Sequence, residues 1–323
     1  MVEKTISLSN VNLKVCFVGM GSIGTRHLKN LQKVAKEKQL NLEIHALRNT
    51  TNKLTPENEA ILSKQISNIS EIEDSYDIIF ITNPTAMHYD YIKSLVNYGQ
   101  NMFIEKPLFD HTKYDVEDIN INSESIYYVA APMRYTDTFL YIKNFIQNKK
   151  IFSARIICSS FMPEWQKGRD YTKSFRTDKK AGGGVDIDLI HEIDYMVDLF
   201  GLPNSVKRVA GHYSNLNMNA CDLAVYIFSY NNFVVEMHLD YFGRFDKREI
   251  ELYYNDDVVI GDFINKEVKY LRSNNIVKFD SSEDHYYREM SAFIDMILNR
   301  NHTRNINDIY NAYKVLKLAK GEL

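Results

Sequence analysis

The residues best placed to do chemistry begin with a glycine triplet. In VCFVGMGSIGTRH, Gly19, Gly21 and Gly24 form G-x-G-x-x-G directly after an apolar run and at the start of a helical pattern. Gly19 permits a tight turn, Gly21 lets backbone come close to a ligand, and Gly24 lets helix and strand pack. Ser22 and Ile23 complete the turn, whose free N–H groups at a helix start suit a pyrophosphate. The expected ligand is a nicotinamide dinucleotide, NAD(P). The next strand, EIHALR, ends in Arg48 and then Asn49, Thr50 and Thr51, with no acid to hold ribose hydroxyls. A guanidinium there suits a 2′-phosphate, so NADP is favoured over NAD, against a solvated surface arginine as the alternative.

Lys106 follows a fourth apolar run, Met102 to Glu105, at the carboxyl end of an expected parallel strand, where open α/β sheets place ligands. It is a candidate to hold a hydroxyl proton, with Pro107 fixing the turn that aims it; the alternative is a surface lysine. A further cluster is KKAGGGVDIDLIHEIDYMVDLFG, Lys179 to Gly201. Gly182, Gly183 and Gly184 allow close backbone approach, and Asp188, His191 and Asp194 at three-residue spacing share one face of a helix expected over Val185 to Phe200. Between these lies FMPEWQKGRDYTKSFRTDKK, with the only tryptophan, Trp165, and Lys167, Arg169, Tyr171, Lys173 and Arg176. Cations grip phosphate or carboxylate and aromatic faces suit sugar rings, although a charged surface loop reads equally well.

The ordered set of glycine loop, Thr82-Asn83-Pro84 with His88 on the following helix, Glu105-Lys106-Pro107, and the late Gly-Asp-His cluster resembles the glucose-fructose oxidoreductase, inositol dehydrogenase and MocA family over nearly the whole chain. The resemblance implies a sugar-directed dehydrogenase. Thr82, Asn83, Pro84, His88, Glu105 and Lys106 would then join the glycine loop and Arg48 around the cofactor. His191 would be the site histidine with Asp188 its acidic neighbour, and Arg134, Trp165, Tyr171 and Arg176 would lie near substrate. The family's commoner spacing is D-x-x-x-H, whereas two residues separate Asp188 from His191 here. A histidine merely satisfied between domains is the alternative. Lys106 and His191 would handle the hydroxyl proton, meeting only if the cleft between domains is the site. Two rivals stay open, an NAD-retaining glycosidase and a non-catalytic dinucleotide sensor.

Elements must position these residues. Short apolar runs at Leu13 to Val18, Leu42 to Leu47, Asp77 to Thr82, Met102 to Glu105 and Ile126 to Ala131 alternate with helical patterns at Ser22 to Gln39, Ala86 to Tyr98 and His111 to Ile119. That rhythm is a doubly wound Rossmann sheet. From about Ile151, β-rich runs at Phe152 to Phe161, Ser205 to His212, Cys221 to Tyr230, Phe233 to Tyr241, Arg248 to Tyr254 and Val258 to Phe263 indicate an open, largely antiparallel sheet in an α+β domain. Helices at Asp284 to Arg300 and Asn307 to Lys320 close the chain. The expected division is 1–132 for the dinucleotide, 133–306 for substrate and oligomerisation, and 307–323 as a helix packing back on the first domain.

Composition narrows the class. The 323 residues carry a formal net charge of −3, with no basic footprint for nucleic acid. No apolar run is long enough for a bilayer and the first residues lack a signal peptide's apolar core, so no membrane partner and a cytoplasmic location are expected. Cys16, Cys158 and Cys221 read as free thiols without metal-ligand spacing, and no metal is expected. The family likeness implies a small sugar-like substrate and further copies of the chain as partners, in a homodimer or homotetramer.

Overall fold

A computed structural model describes residues 11–48, 53–73, 75–165, 168–301 and 305–323. Asn49, Thr50, Thr51 and Lys167 therefore lie outside the described residues. Two compact units are present. The first comprises Met1–Leu108, Tyr114–Ala130 and Tyr286–Ile309, and the second Phe109–Lys113, Ala131–His285 and Tyr310–Leu323.

In the first unit the chain runs β1 (Asn12–Val18), α1 (Ser22–Lys38), β2 (Asn41–Leu47), α2 (Pro56–Ile61), β3 (Lys64–Ile66), β4 (Tyr76–Ile81), α3 (His88–Leu95), β5 (Gly99–Ile104) and β6 (Tyr127–Val129). All pair in parallel in the order β3-β2-β1-β4-β5-β6, the doubly wound arrangement expected. The central strands are apolar throughout because both faces are covered: Val15–Val18, Ile78–Ile81 and Met102–Ile104 are all buried.

The expected helix over His111 to Ile119 does not form. Only a 3-10 turn, Val116–Asp118, appears there, because the Asp115 side chain caps the Glu117 N–H at 3.1 Å and the Tyr114 ring stacks on Tyr89. β3 escaped the sequence reading, since KQI is too short and polar to show an apolar pattern.

The second unit holds α4 (Asp137–Ile146), β7 (Ile151–Phe161), α5 (Val185–Asp188), α6 (His191–Phe200), β8 (Ser205–Gly211), β9 (Leu223–Ser229), β10 (Val234–Asp240), β11 (Phe242–Tyr254), β12 (Val258–Asp262), β13 (Glu267–Tyr270) and β14 (Asn275–Lys278). The sheet order is β14-β13-β12-β11-β7-β10-β9-β8, antiparallel except where β10 runs parallel to β7. Alternation buries Ala224, Tyr226 and Phe228 from β9 and Val235, Met237 and Leu239 from β10. Across the other face Val209, Ile227, Val234 and Phe245 are exposed.

The helix read as continuous from Val185 to Phe200 is broken. α5 ends at Asp188, where Leu189 leaves the helical region at ψ 29°, and α6 restarts at His191. Asp188 and His191 thus belong to different helices.

The last two helices, α7 (His285–Leu298) and α8 (Ile309–Lys320), divide between the units. Phe293 of α7 lies 6.2 Å from Phe80, 5.2 Å from Phe103 and 5.7 Å from Tyr128, extending the aromatic stack that Phe17 and Phe80 begin. α8 is held in the second unit, with the Tyr226 hydroxyl donating to Ala319 O and Lys320 Nζ lying 3.0 Å from Asp186 Oδ2. The division therefore departs from the expected continuous one: the late segment that covers the Rossmann sheet is α7, and 310–323 packs within the second unit.

Among the described residues no helix is long and apolar enough to cross a membrane, and no group of His, Cys, Asp or Glu could hold a metal. Cys16 and Cys158 are buried and Cys221 half-buried, all free. Burial pushes the Cys16 thiol up to about 12 and Cys221 up to about 11, so neither is a nucleophile at neutral pH.

Candidate active site

The glycine turn has the shape a dinucleotide needs. Gly19 has φ +86°, and a Cβ there would fall 2.8 Å from Asn83 Cα. A Cβ on Gly24 would meet Gly19 O and Thr82 Oγ1, both at 2.7 Å, so only glycine lets α1 sit this close to β1 and β4. Gly21 differs: a Cβ there would meet nothing within 4 Å, leaving its backbone open at the mouth of α1. The first turn of α1, from exposed Ser22 through half-buried Ile23, has no acidic residue and no side-chain cap, so its N–H groups face outward for an anion.

The second strand end closes on the same turn. Thr82 Oγ1 donates to Gly19 O at 2.7 Å and to Val18 O at 3.1 Å. Beside it, the carboxamide oxygen and nitrogen of Asn83 are buried with no hydrogen-bond partner among the described residues. Such an unsatisfied pair beside an open glycine turn fits a bound dinucleotide. Pro84 is exposed and begins the turn into α3, its carbonyl accepting the Met87 N–H at 2.8 Å. Arg48 closes β2, its N–H donating to Ile66 O at 2.8 Å, and is half-buried.

The third strand end carries Glu105 and Lys106. Glu105 N donates to Ile81 O, which keeps this end beside β4, and Lys106 is half-buried ahead of a cis bond to Pro107. Two residues read from sequence as cofactor contacts turn inward instead. His88 is buried, with Nε2 3.0 Å from Asn83 O and Nδ1 3.1 Å from both Pro107 O and Leu108 O. It clamps the Asn83 and Pro107 loops together, and burial holds its pKa below the ordinary value. Glu105 is also buried, with Oε1 on His27 Nε2 at 2.5 Å and Oε2 accepting the Lys106 N–H at 3.1 Å.

In the second unit three of the expected substrate residues are gathered around one that sequence reasoning missed, Tyr241. Asp188 Oδ2 accepts from Arg176 Nε at 2.7 Å and from the Tyr241 hydroxyl at 3.1 Å. Trp165 stands edge-on to the Tyr241 ring at 5.3 Å and donates its indole N–H to Ser160 Oγ. Burial pushes the Tyr241 phenol well above its usual range, with the Asp188 charge adding to it, so the hydroxyl stays protonated and donates. The only signal for Tyr241 in the sequence was its place at the end of an apolar run.

Trp165, Tyr171 and Arg176 lie on a strap that, among the described residues, is made of short 3-10 turns at Met162–Glu164, Tyr171–Lys173, Phe175–Thr177 and Lys179–Ala181. It lies directly on Gly183, where a Cβ would fall 2.4 Å from Phe175 O. Tyr171 faces a different loop, its hydroxyl accepting the Asn217 N–H. His191, buried, opens α6.

Arg134 and Asp194 form a separate structure. The Arg134 guanidinium is 3% exposed and bidentate on Asp194, at 2.8 and 2.7 Å, with Asp198 at 3.0 Å. Its charge is committed to anchoring α6, which replaces the sequence reading of Arg134 as a substrate contact and of Asp194 as a companion of His191.

A six-stranded parallel sheet in this order, with a glycine turn opening onto a helix N-terminus, defines a dinucleotide-binding oxidoreductase joined to an α/β second domain. Residues 13–123 match the family described as "Oxidoreductase family, NAD-binding Rossmann fold", and residues 161–242 match its "C-terminal alpha/beta domain". The chain belongs to this Gfo/Idh/MocA family of NAD(P)-dependent oxidoreductases.

Among relatives, scyllo-inositol 2-dehydrogenase (NADP(+)) IolU of Bacillus subtilis (strain 168) is 26% identical over 241 residues, covering 69% of this chain and 70% of its own. Two solved structures share the fold. UDP-N-acetylglucosamine 3-dehydrogenase GnnA from Acidithiobacillus ferrooxidans is 18% identical with a TM-score of 0.73, covering 96% of both chains. The WlbA dehydrogenase from Bordetella pertussis, in complex with NADH and UDP-GlcNAcA, is 16% identical with a TM-score of 0.76, covering 96% of this chain and 95% of its own.

Proposed function

We propose that the protein transfers hydride between a nicotinamide dinucleotide and a hydroxyl-bearing or keto carbon of a sugar, amino sugar or nucleotide sugar. The observation that carries this is Lys106 at the end of β5, two strands from the glycine turn and joined to it through His88 and Asn83. When bound, the dinucleotide supplies the hydride acceptor or donor. Gly19, Gly21, Ser22, Ile23 and Gly24 hold its pyrophosphate, with Thr82, Asn83 and Pro84 lining the next strand end. Lys106 and His191 manage the hydroxyl proton, which leaves the alcohol as its carbon is oxidised and returns in reduction. Arg48, together with the NADP(+) named for the inositol relative, supports a preference for the phosphorylated coenzyme.

The strap supports an anionic substrate. The sequence from Trp165 to Lys180 holds six basic residues, Lys167, Arg169, Lys173, Arg176, Lys179 and Lys180, against two acids, Asp170 and Asp178, in a chain whose net charge is −3. Trp165 and Phe175 are exposed beside them as apolar faces for a ring. Phosphate or carboxylate on the sugar meets that charge. The free thiols fit a reducing compartment such as the cytoplasm, and the exposed apolar residues on the open sheet fit a homodimer or homotetramer.

The reading is tested by screening inositols, phosphorylated sugars and nucleotide sugars for coenzyme turnover, then repeating the active pair with Lys106→Ala and His191→Ala. Each variant is expected to lose about 10²- to 10⁴-fold in kcat with dinucleotide affinity little changed. Near-normal turnover in both would remove these residues from the chemistry.

A further inference from the structure

One cation of the strap is built differently from the others. Arg169, Lys173, Lys179 and Lys180 are exposed, and Lys173 reaches Asp170 at 3.8 Å from open solvent. Arg176 is half-buried and its base is pinned on both sides. Its backbone N–H donates to Ser174 Oγ at 3.4 Å, and the hydroxyl of buried Thr177 lies 2.7 Å from Ser174 O and 3.1 Å from Thr172 O. The Phe175 and Arg176 carbonyls press on Gly183, where a Cβ would fall 2.4 and 2.5 Å from them.

The guanidinium is fixed as well. Nε donates to Asp188 Oδ2 at 2.7 Å, and the same oxygen accepts the hydroxyl of Tyr241, a ring that is 0% exposed. Cζ stands 4.8 Å over the Phe175 ring, which covers one face. A guanidinium is planar, so fixing Nε and one face also fixes the directions of Nη1 and Nη2. Those two nitrogens donate to nothing among the described residues, and the side chain keeps 30% of its surface open. Arg134, by contrast, spends Nε, Nη1 and Nη2 on Asp194 and Asp198.

Two parallel N–H groups match two coplanar oxygens, the arrangement of a carboxylate. Charge selects the same ligand. Asp188 offsets the guanidinium charge locally, so a phosphate ester carrying about −1.5 to −2 at pH 7 meets little net attraction and the most repulsion from Asp188. A singly charged carboxylate takes the hydrogen bonds with less of that repulsion.

We propose that Arg176 is a specificity residue that reads a carboxylate on the sugar, with Nη1 and Nη2 binding the two carboxylate oxygens while Asp188 and Tyr241 hold the fork in place. The substrate class is then a sugar acid, free or as its nucleotide derivative. The inference rests on the reading of the strap as the substrate-binding segment and names the anion that it takes.

The test needs no turnover. The full-length protein with NADPH is treated with an arginine-selective dicarbonyl reagent, which adds across Nη1 and Nη2, and modification of Arg176 is followed by mass spectrometry. The probes are D-glucuronate, its neutral amide, D-glucose 6-phosphate, UDP-D-glucuronate and UDP-D-glucose. Each carboxylate is expected to protect Arg176 at concentrations about 10- to 100-fold lower than its neutral partner, the value of a hydrogen bond to a charged group. Glucose 6-phosphate protects less well than glucuronate, and the tighter of the two carboxylates tells the free acid from the nucleotide derivative. Calorimetry with the same probes compares Arg176→Lys, Arg176→Gln, Tyr241→Phe and Lys173→Gln. Arg176→Lys keeps the charge beside Asp188 but loses the fork, so the preference for carboxylate falls by about 10-fold or more while affinity for the neutral partners stays. Arg176→Gln removes the preference, Tyr241→Phe weakens it, and Lys173→Gln, which takes a charge from the same strap, retains it.

Equal protection by carboxylate and neutral partner, or tighter protection by the phosphate, overturns the assignment. So does a preference that survives in Arg176→Lys and Arg176→Gln, or one that Lys173→Gln removes. The protection measured on the unaltered protein decides the matter where a variant does not fold. Turnover of neutral sugars beside absent protection by carboxylates refutes this assignment alone, while protection in a protein that turns over no sugar refutes the hydride-transfer reading alone.

Discussion

Gly21→Val separates the glycine turn's binding role from its folding role. Gly21 sits at φ −73° and ψ −165°, extended backbone that any residue adopts, and a Cβ there meets nothing within 4 Å. As the residue before α1 it loses little as a cap, so the stability cost is about 1 kcal/mol or less. Binding is another matter, because the open space above Gly21 is where a pyrophosphate must approach the first N–H groups of α1. Hydrogen bonds to a charged group are worth about 1.5–3 kcal/mol each, and losing two weakens the dinucleotide by about 10²- to 10⁴-fold.

Gly24→Ala gives the contrasting case. Its Cβ would sit 2.7 Å from both Gly19 O and Thr82 Oγ1, which are bonded to each other at 2.7 Å and cannot retreat independently. Overpacking costs about 1–3 kcal/mol, against a gain of about 1 kcal/mol from replacing a helical glycine. Melting curves and calorimetric titration with NADPH check both variants. Gly21→Val should melt near the wild type and fail to bind, whereas Gly24→Ala should melt lower. Wild-type NADPH affinity in Gly21→Val, or an unfolded Gly21→Val, would refute the placement of the pyrophosphate.

Other outcomes follow from neighbouring groups. Arg48→Asp should reverse the order of affinity for the two coenzymes; if the unaltered protein binds NADH more tightly than NADPH, Arg48 does not read the 2′-phosphate. Arg134→Ala strands the Asp194 carboxylate, whose pKa burial already raises despite the arginine, and should cost about 3–5 kcal/mol in denaturant unfolding. Wild-type stability there would show that the pair does not anchor α6. His88 is buried with its pKa lowered by desolvation, so the unfolded chain binds more protons than the folded one below about pH 6.5. Its contribution is complete above that pH and is lost as pH falls, so the wild type should lose more stability than His88→Gln between neutral pH and pH 5; parallel curves would contradict this.

How much was legible in the sequence follows from how far each side chain's role is local. The glycine turn, the strands that carry it and the end of β5 were readable because a G-x-G-x-x-G after an apolar run constrains backbone within a dozen residues. The break between α5 and α6 was not, since Asp188, His191 and Asp194 sit at perfect helical spacing. The break at Leu189 puts Asp188, bonded to Arg176 and Tyr241, on α5, while His191 and Asp194 stay together on α6 with Asp194 bonded to Arg134. Charged residues at helical or strand-end spacing thus proved ambiguous between touching ligand and bonding inward, and Glu105, His88 and Arg134 all bond inward. His27 was legible in principle: with Leu28, Leu31, Val34 and Ala35 it is buried along α1, and a polar residue on an apolar face demands a partner. Its partner lies 78 residues away on another strand. Helical periodicity could show that His27 needed an acceptor, but only the parallel pairing of β1, β4 and β5 could supply Glu105. The same pairing sets Glu105, whose carboxylate also accepts the Lys106 N–H, against α1.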